Sequence, residues 1–220
     1  MENKTITGNI TVLPPVFCGS VEHYVNVSAA ETTAVDWKRR FDKRFKATHR
    51  FAIADTRGRL ELTVPIAKPP SSQCCWGISK YQPTATGGIS IVSPLKAPTA
   101  VHHFFEYYAD SLLPMLTAGV EERFPLLKNL SDAWDGWIRN RLMLPLPVDI
   151  SAAGETISPL TAPIKPGRTD TECETHDLPH YWQVRADKIG FISNLSVLDL
   201  IFNLGPEAVI YLDRVAGREF

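Results

Sequence analysis

Between Trp37 and Arg50 the chain reads Trp-Lys-Arg-Arg-Phe-Asp-Lys-Arg-Phe-Lys-Ala-Thr-His-Arg, and seven of its 23 lysines and arginines fall within positions 38–50. The formal net charge of the whole chain is -1, so this density is local. Guanidinium forks bind phosphate oxygens two at a time, and the interleaved Trp37, Phe41 and Phe45 offer rings for stacking on a base or sugar. Lys43, Arg44, His49 and Arg50 are therefore candidate ligand-binding residues, for a small-molecule anionic ligand such as a nucleotide sugar. A solvated basic loop or helix face produces the same pattern. Both readings stand at this level.

Other residues suit proton transfer. His23 follows Glu22, and a histidine with a pKa near neutrality can act as a general base. Glu106 and Asp110 are four residues apart, which puts both carboxylates on one face of a helix, for acid–base work or simply for solvation. His23 and Glu106 are the candidate catalytic residues. Asn194, Asp199, Asn203 and Glu207 recur every four or five residues among large apolar side chains. Polar groups in that setting need partners, so they are caps and packing bonds or a ligand shelf. Asp199 reads as a cap, which leaves Asn203 and Glu207 as further ligand-binding candidates. Cys18, Cys74, Cys75 and Cys173 show no C-x-x-C spacing and read as reduced thiols. No metal site is expected, and the cofactor is left open.

The elements that must position these groups follow from local patterns. Asn9–Leu13 reads as a strand stopped by Pro14-Pro15, Gly19–Ala30 as a helix and Thr32–Trp37 as a second strand. Phe51–Asp55 and Leu60–Ile66 flank Thr56-Arg57-Gly58 as a hairpin, with Leu60, Leu62, Val64 and Ile66 alternating onto one buried face. Residues 68–88 are rich in Pro, Ser, Gly and Thr and read as a loop. Val101–Leu116 has helical spacing. A second helix begins near Asn129, with Trp134, Trp137, Ile138 and Leu142 on its face, and is stopped by Pro145 and Pro147. Residues 149–179 read as a long irregular segment. Ser196 followed by Asp199 is an acidic variant of the capping box, Leu204-Gly205 ends that helix, and Pro206-Glu207 starts another. The expected fold class is α/β. A single domain over residues 1–220 would hold a small mixed sheet, of N-terminal strands and hairpin, packed by C-terminal helices.

Composition narrows the function classes. A chain of 220 residues with 44% hydrophobic and 21% charged residues is of ordinary globular type. The balanced charge argues against coating nucleic acid. No run of eighteen apolar residues predicts a membrane span, and the N-terminus lacks the apolar region of a secretory signal. A cytoplasmic protein is the default expectation; its oligomeric state is open.

Four blocks, in order, carry a family resemblance. Gly19-Ser-Val-Glu-His-Tyr24 is similar to a Gly-Ser-Ile-Glu-Tyr-Tyr block, and Leu62-Thr-Val-Pro-Ile66 to a Leu-Thr-Val-Pro-Val strand. Phe104-Phe-Glu-Tyr-Tyr-Ala-Asp110 is the same as a family helix start. Tyr181-x-Gln183-Val184 with the run Gly190 to Ala208 resembles the C-terminal signature. These blocks span nearly the whole chain and resemble the WbqC-like proteins. The resemblance implies a role in bacterial surface-polysaccharide biosynthesis of the O-antigen type, with transfer of an acyl or aminoacyl group to a nucleotide-linked amino sugar as the specific activity. The alternative is a non-catalytic binding or scaffold protein in the same pathway. A family block, Lys-Gln-x-Tyr-Arg-Asn-Arg, is matched only loosely by Lys43-Arg44 and His49-Arg50. The family's Trp-x-x-x-His-Trp stretch is replaced by Ile89–Pro98, which points to a changed substrate or a lost activity.

Overall fold

Two prolines and a crossover helix organise the N-terminal part. In the computed structural model, residues 10–42, 44–67, 74–82, 89, 91, 95, 103–117, 119–149 and 178–218 are described. Strand β1 (Ile10–Leu13) ends at Pro14, and helix α1 (Val21–Ala29) carries the chain back to β2 (Thr32–Val35). The strands pair in parallel, Ile10 opposite Thr32 and Leu13 opposite Val35. A parallel pair needs such a crossover. The Ser20 hydroxyl accepts the His23 N–H at 3.3 Å and caps α1. Val21, Tyr24 and Val27, spaced at three, form the buried stripe of the helix.

The hairpin follows, with β3 (Arg50–Asp55) antiparallel to β4 (Gly58–Thr63). Asp55 accepts the Arg57 N–H at 2.7 Å and closes the turn, while Gly58 takes a φ of +125°. Both faces of β3 are covered. Phe51 and Ile53 enter the main core; Ala52 and Ala54 pack on Leu195, with Ile192 beside them. The alternation of β4 continues past its end, so Leu62 and Val64 are buried.

Helices α2 (Phe105–Leu112), α3 (Val120–Arg123), α4 (Leu127–Arg141), α5 (Ala186–Ile189), α6 (Val197–Leu204) and α7 (Ala208–Val215) complete the described chain. Helix α4 starts before Asn129 because that side chain reaches back to accept the Leu126 N–H at 3.2 Å. Gly205, at φ +56°, separates α6 from the turn that leads into α7, and the Phe104 ring lies against it. A Cβ there would fall 2.9 Å from that ring, so the position requires glycine.

The α/β class and the helical C-terminal half agree with the sequence. The strands form two two-stranded ladders, one parallel and one antiparallel, where a single mixed sheet was expected. After β1 the chain is joined to the turn ahead of the hairpin by Phe17 N–H to Ala47 O and by the Thr48 hydroxyl to Pro15 O, without a strand ladder among the described residues. One core then runs from Leu13 to Leu212 through both ladders and the helices. Ser196 caps α6 as expected, its hydroxyl accepting the Leu198 N–H at 3.3 Å, but the Asp199 half of the capping box is corrected. The Ser196 N–H bonds to Ala52 O, and Asp199 turns to accept the Ala54 N–H at 2.9 Å. Asp199 thus ties a helix to a strand. No helix among the described residues is long and apolar enough to cross a membrane.

Candidate functional site

The basic segment is held by aromatic anchors with its cations turned outward. Trp76, in a 3-10 turn (Trp76–Ile78), is fully buried, and the Phe41 ring lies 4.3 Å from it. Residues 37–41 run beside 74–77: Phe41 N–H bonds Cys74 O, Trp76 N–H bonds Arg39 O, and Gly77 N–H bonds Trp37 O. The Trp37 indole donates to Asp132 of α4 at 3.1 Å. Lys38, Arg39, Arg40 and Arg44 are exposed. Arg39 lies over the Phe45 ring at 5.3 Å, and Asp36 and Asp42 accept the Lys38 and Arg44 backbone N–H groups. Those last bonds hold the Asp42 carboxyl below its usual range, the Arg44 N–H being the main cause. The result is a hydrogen-bonded backbone carrying several exposed positive groups.

The other candidates are distributed as follows. Arg44 folds back on Asp42 at 3.4 Å but keeps 92% of its side chain exposed. Lys43 lies outside the described residues, as do Cys173 and all of 150–177 in the expected irregular segment. His49 stacks on Trp76, its ring centre 6.2 Å away, and its pKa drops to about 4 through burial first, then through Arg50 and Lys46. Arg50 is half-buried at the start of β3, opposite Thr63, and its Nε is buried without a hydrogen-bond partner among the described residues. Glu106 and Asp110 are both exposed along α2, and Glu207 is exposed in the turn after α6. Asn203 is buried; it donates to Asp199 Oδ2 at 3.2 Å and to Asp199 O at 2.8 Å, and accepts the Val184 N–H.

Asp199 is the centre of that second group. Fully buried, it accepts from Ala54 N–H, from the Tyr181 hydroxyl at 2.7 Å and from Asn203, with Gln183 Nε2 at 3.5 Å. Burial and this carboxylate hold the Tyr181 phenol well above its ordinary pKa. Ala54 is four residues beyond Arg50 on β3, about 13 Å along an extended strand. The Asp199 group and the basic segment therefore occupy opposite ends of one strand.

His23 belongs to a third group. Its ring is buried, meets Tyr24 edge-on at 5.1 Å and lies over Gly19. Burial lowers its pKa to about 4, against the pull of Asp135 and with the help of Arg139. Arg139 is itself fully buried, donating to Asp135 at 2.6 Å, Thr33 at 2.9 Å and Pro145 O at 2.7 Å, while Tyr24 donates to the other Asp135 oxygen at 2.6 Å. Sequence reading missed this pair. The available signal was Asp135 and Arg139 at i and i+4, flanking the Trp134–Ile138 stripe. Cys18, beside it, has φ +49°, and burial together with Asp135 raises its pKa, so it is not an activated nucleophile.

The four blocks that carry the resemblance converge. Val21 N–H bonds Leu195 O, Val197 N–H bonds Gly19 O, and Asn194 exchanges two hydrogen bonds with Glu22. Phe104 N–H bonds Phe202 O. The β4 block pairs with β3, which holds α6 through Ala52 and Ala54. Among the described residues no group of three or more His, Cys, Asp or Glu side chains could hold a metal ion. No family model, curated protein or solved structure matches this chain.

Proposed function

We propose that this chain is a WbqC-like protein of bacterial surface-polysaccharide biosynthesis that binds a nucleotide-linked sugar through its basic segment. The observation that supports this reading is the exposure of Lys38, Arg39 and Arg44 on a backbone fixed by Trp37, Phe41 and Trp76. Fixed backbone lowers the ordering cost of binding, and guanidinium groups suit a diphosphate. Screening by thermal shift against UDP-, GDP- and dTDP-sugars tests it. Stabilisation by at least one, weakened by salt and lost in a Lys38→Glu/Arg39→Glu/Arg44→Glu variant, is the expected result. No stabilisation by any of them overturns the reading.

The activity the resemblance implies is transfer of an acyl or aminoacyl group to the sugar's amine. A second reading, binding without catalysis, has a specific observation in its favour. His23 is buried against Tyr24, Glu106 is exposed on α2, and no hydrogen bond or ring contact among the described residues joins them. Mass spectrometry of a nucleotide-linked amino sugar incubated with protein and acyl donors separates the two. A gain of one acyl mass supports transfer; unchanged nucleotide with retained binding supports the second reading.

A further inference from the structure

Six buried polar atoms have no hydrogen-bond partner among the described residues, and besides Arg50 Nε and Arg139 Nη2 these are Trp76 Nε1, Trp134 Nε1, Ser131 Oγ and His49 Nδ1, four atoms on elements that pack together. Trp76 and Trp134 are fully buried, and Ser131 is 3% exposed. Each unpaired buried group costs about 1–3 kcal/mol, and native proteins keep only a few per hundred residues. Their number is ordinary, and it is their placement on packed elements that calls for an occupant.

The contacts link these groups. Ser131 and Trp134 lie on the buried face of α4, three residues apart, and α4 packs on the turn that carries Trp76. Trp76 stacks on His49. The Trp134 ring meets Phe17 at 5.5 Å, and Phe17 N–H bonds Ala47 O, two residues before His49. Phe41, in the middle of the cationic stretch, lies on the outer side of this group against Trp76.

We infer that Trp76, Trp134, Ser131 and His49 form an internal subsite, beneath the basic segment, that receives a small oxyanion group, a phosphate or a carboxylate. An indole N–H can only donate, a hydroxyl can donate, and a neutral imidazole donates from Nδ1 in one of its tautomers. Four donors select an acceptor, and the nearby carboxylates of α4, Asp132 and Asp135, already accept from Trp37 and from Tyr24 and Arg139. Lys46 and Arg50, which make His49 harder to protonate, supply a positive field that attracts an anion. The inference rests on the anionic-ligand reading for the source of the group, which is either free or the end of a larger ligand.

Orthophosphate is the first probe, with chloride at matched ionic strength as control, read by melting temperature and by intrinsic fluorescence. Phosphate stabilises the wild type and changes the indole emission. Ser131→Ala and Trp134→Phe each weaken phosphate at least about tenfold, the loss of one hydrogen bond to a charged group. Ser131→Ala removes a single oxygen and secures the test if the tryptophan variant folds poorly. The Lys38→Glu/Arg39→Glu/Arg44→Glu variant keeps orthophosphate binding even where sugar nucleotides are lost, or never bound, which separates this subsite from the outer reading. A phosphate effect no larger than that of chloride overturns the inference. So does wild-type phosphate binding in both Ser131→Ala and Trp134→Phe, the result if internal water alone satisfies these donors.

Discussion

Asp199 and Trp76 are both fully buried and both carry polar atoms, yet their surroundings differ completely. Around Asp199, a backbone N–H, a phenol and a carboxamide all point at one carboxylate. Around Trp76, an indole, an imidazole and a neighbouring hydroxyl have no partner among the described residues, beside a segment of exposed cations. The first arrangement joins β3, α6 and the 181–183 segment and has no capacity for a ligand. The second has donors and charge to offer. Saturated polar groups such as Asp199 hold this fold, and in the reading proposed above the unsatisfied group around Trp76 is where it binds.

That contrast can be broken by mutation. The largest effect is expected at Asp199→Ala, which strands Ala54 N–H, Tyr181 and Asn203 in the core at about 4 kcal/mol; urea unfolding should show it. A loss below about 1 kcal/mol would place Asp199 outside the structural framework. Acid comes next. His23 and His49 bind protons less readily in the fold, at about 4, than at the ordinary 6.5. The unfolded chain therefore holds more protons between those values. Stability is fully present above pH 6.5 and falls as pH drops towards 4, by roughly 3 kcal/mol for buried His23. A His23→Phe variant with an unchanged pH profile would refute that assignment. Tyr181→Phe sharpens the comparison on a smaller scale, removing one of the Asp199 donors for about 1.5 kcal/mol of stability. The smallest stability effect belongs to the triple charge reversal at Lys38, Arg39 and Arg44, which should leave the urea midpoint unchanged while abolishing sugar-nucleotide binding. A shifted midpoint would make the basic segment part of the framework too.

Some of this was legible residue by residue. Ser196, Gly205 and Pro14 mark element ends by local chemistry, and the longer helices and the hairpin lie close to where their patterns put them. The concentration of cations from Lys38 to Arg50 was equally visible. Local rules failed at Asp199, where the capping-box pattern was present but the carboxylate found a better donor in Ala54, 145 positions away. They failed again at Asp135 and Arg139, whose burial depends on Tyr24 and Thr33 from other elements. Trp76 drew no notice in its own right because it stands in a stretch without periodicity.

The sequence by itself determined the helices, the hairpin and the placing of positive charge, since these depend on neighbours within a few residues. Tertiary structure alone decided which polar side chains were satisfied: Asp199 and Asn203 are, whereas Trp76, Trp134, Ser131 and one guanidinium nitrogen of Arg139 have no partner among the described residues. Hydrogen bonding is a matter of a few tenths of an ångström between atoms. Spacing along a chain cannot supply that distance until distant segments have packed.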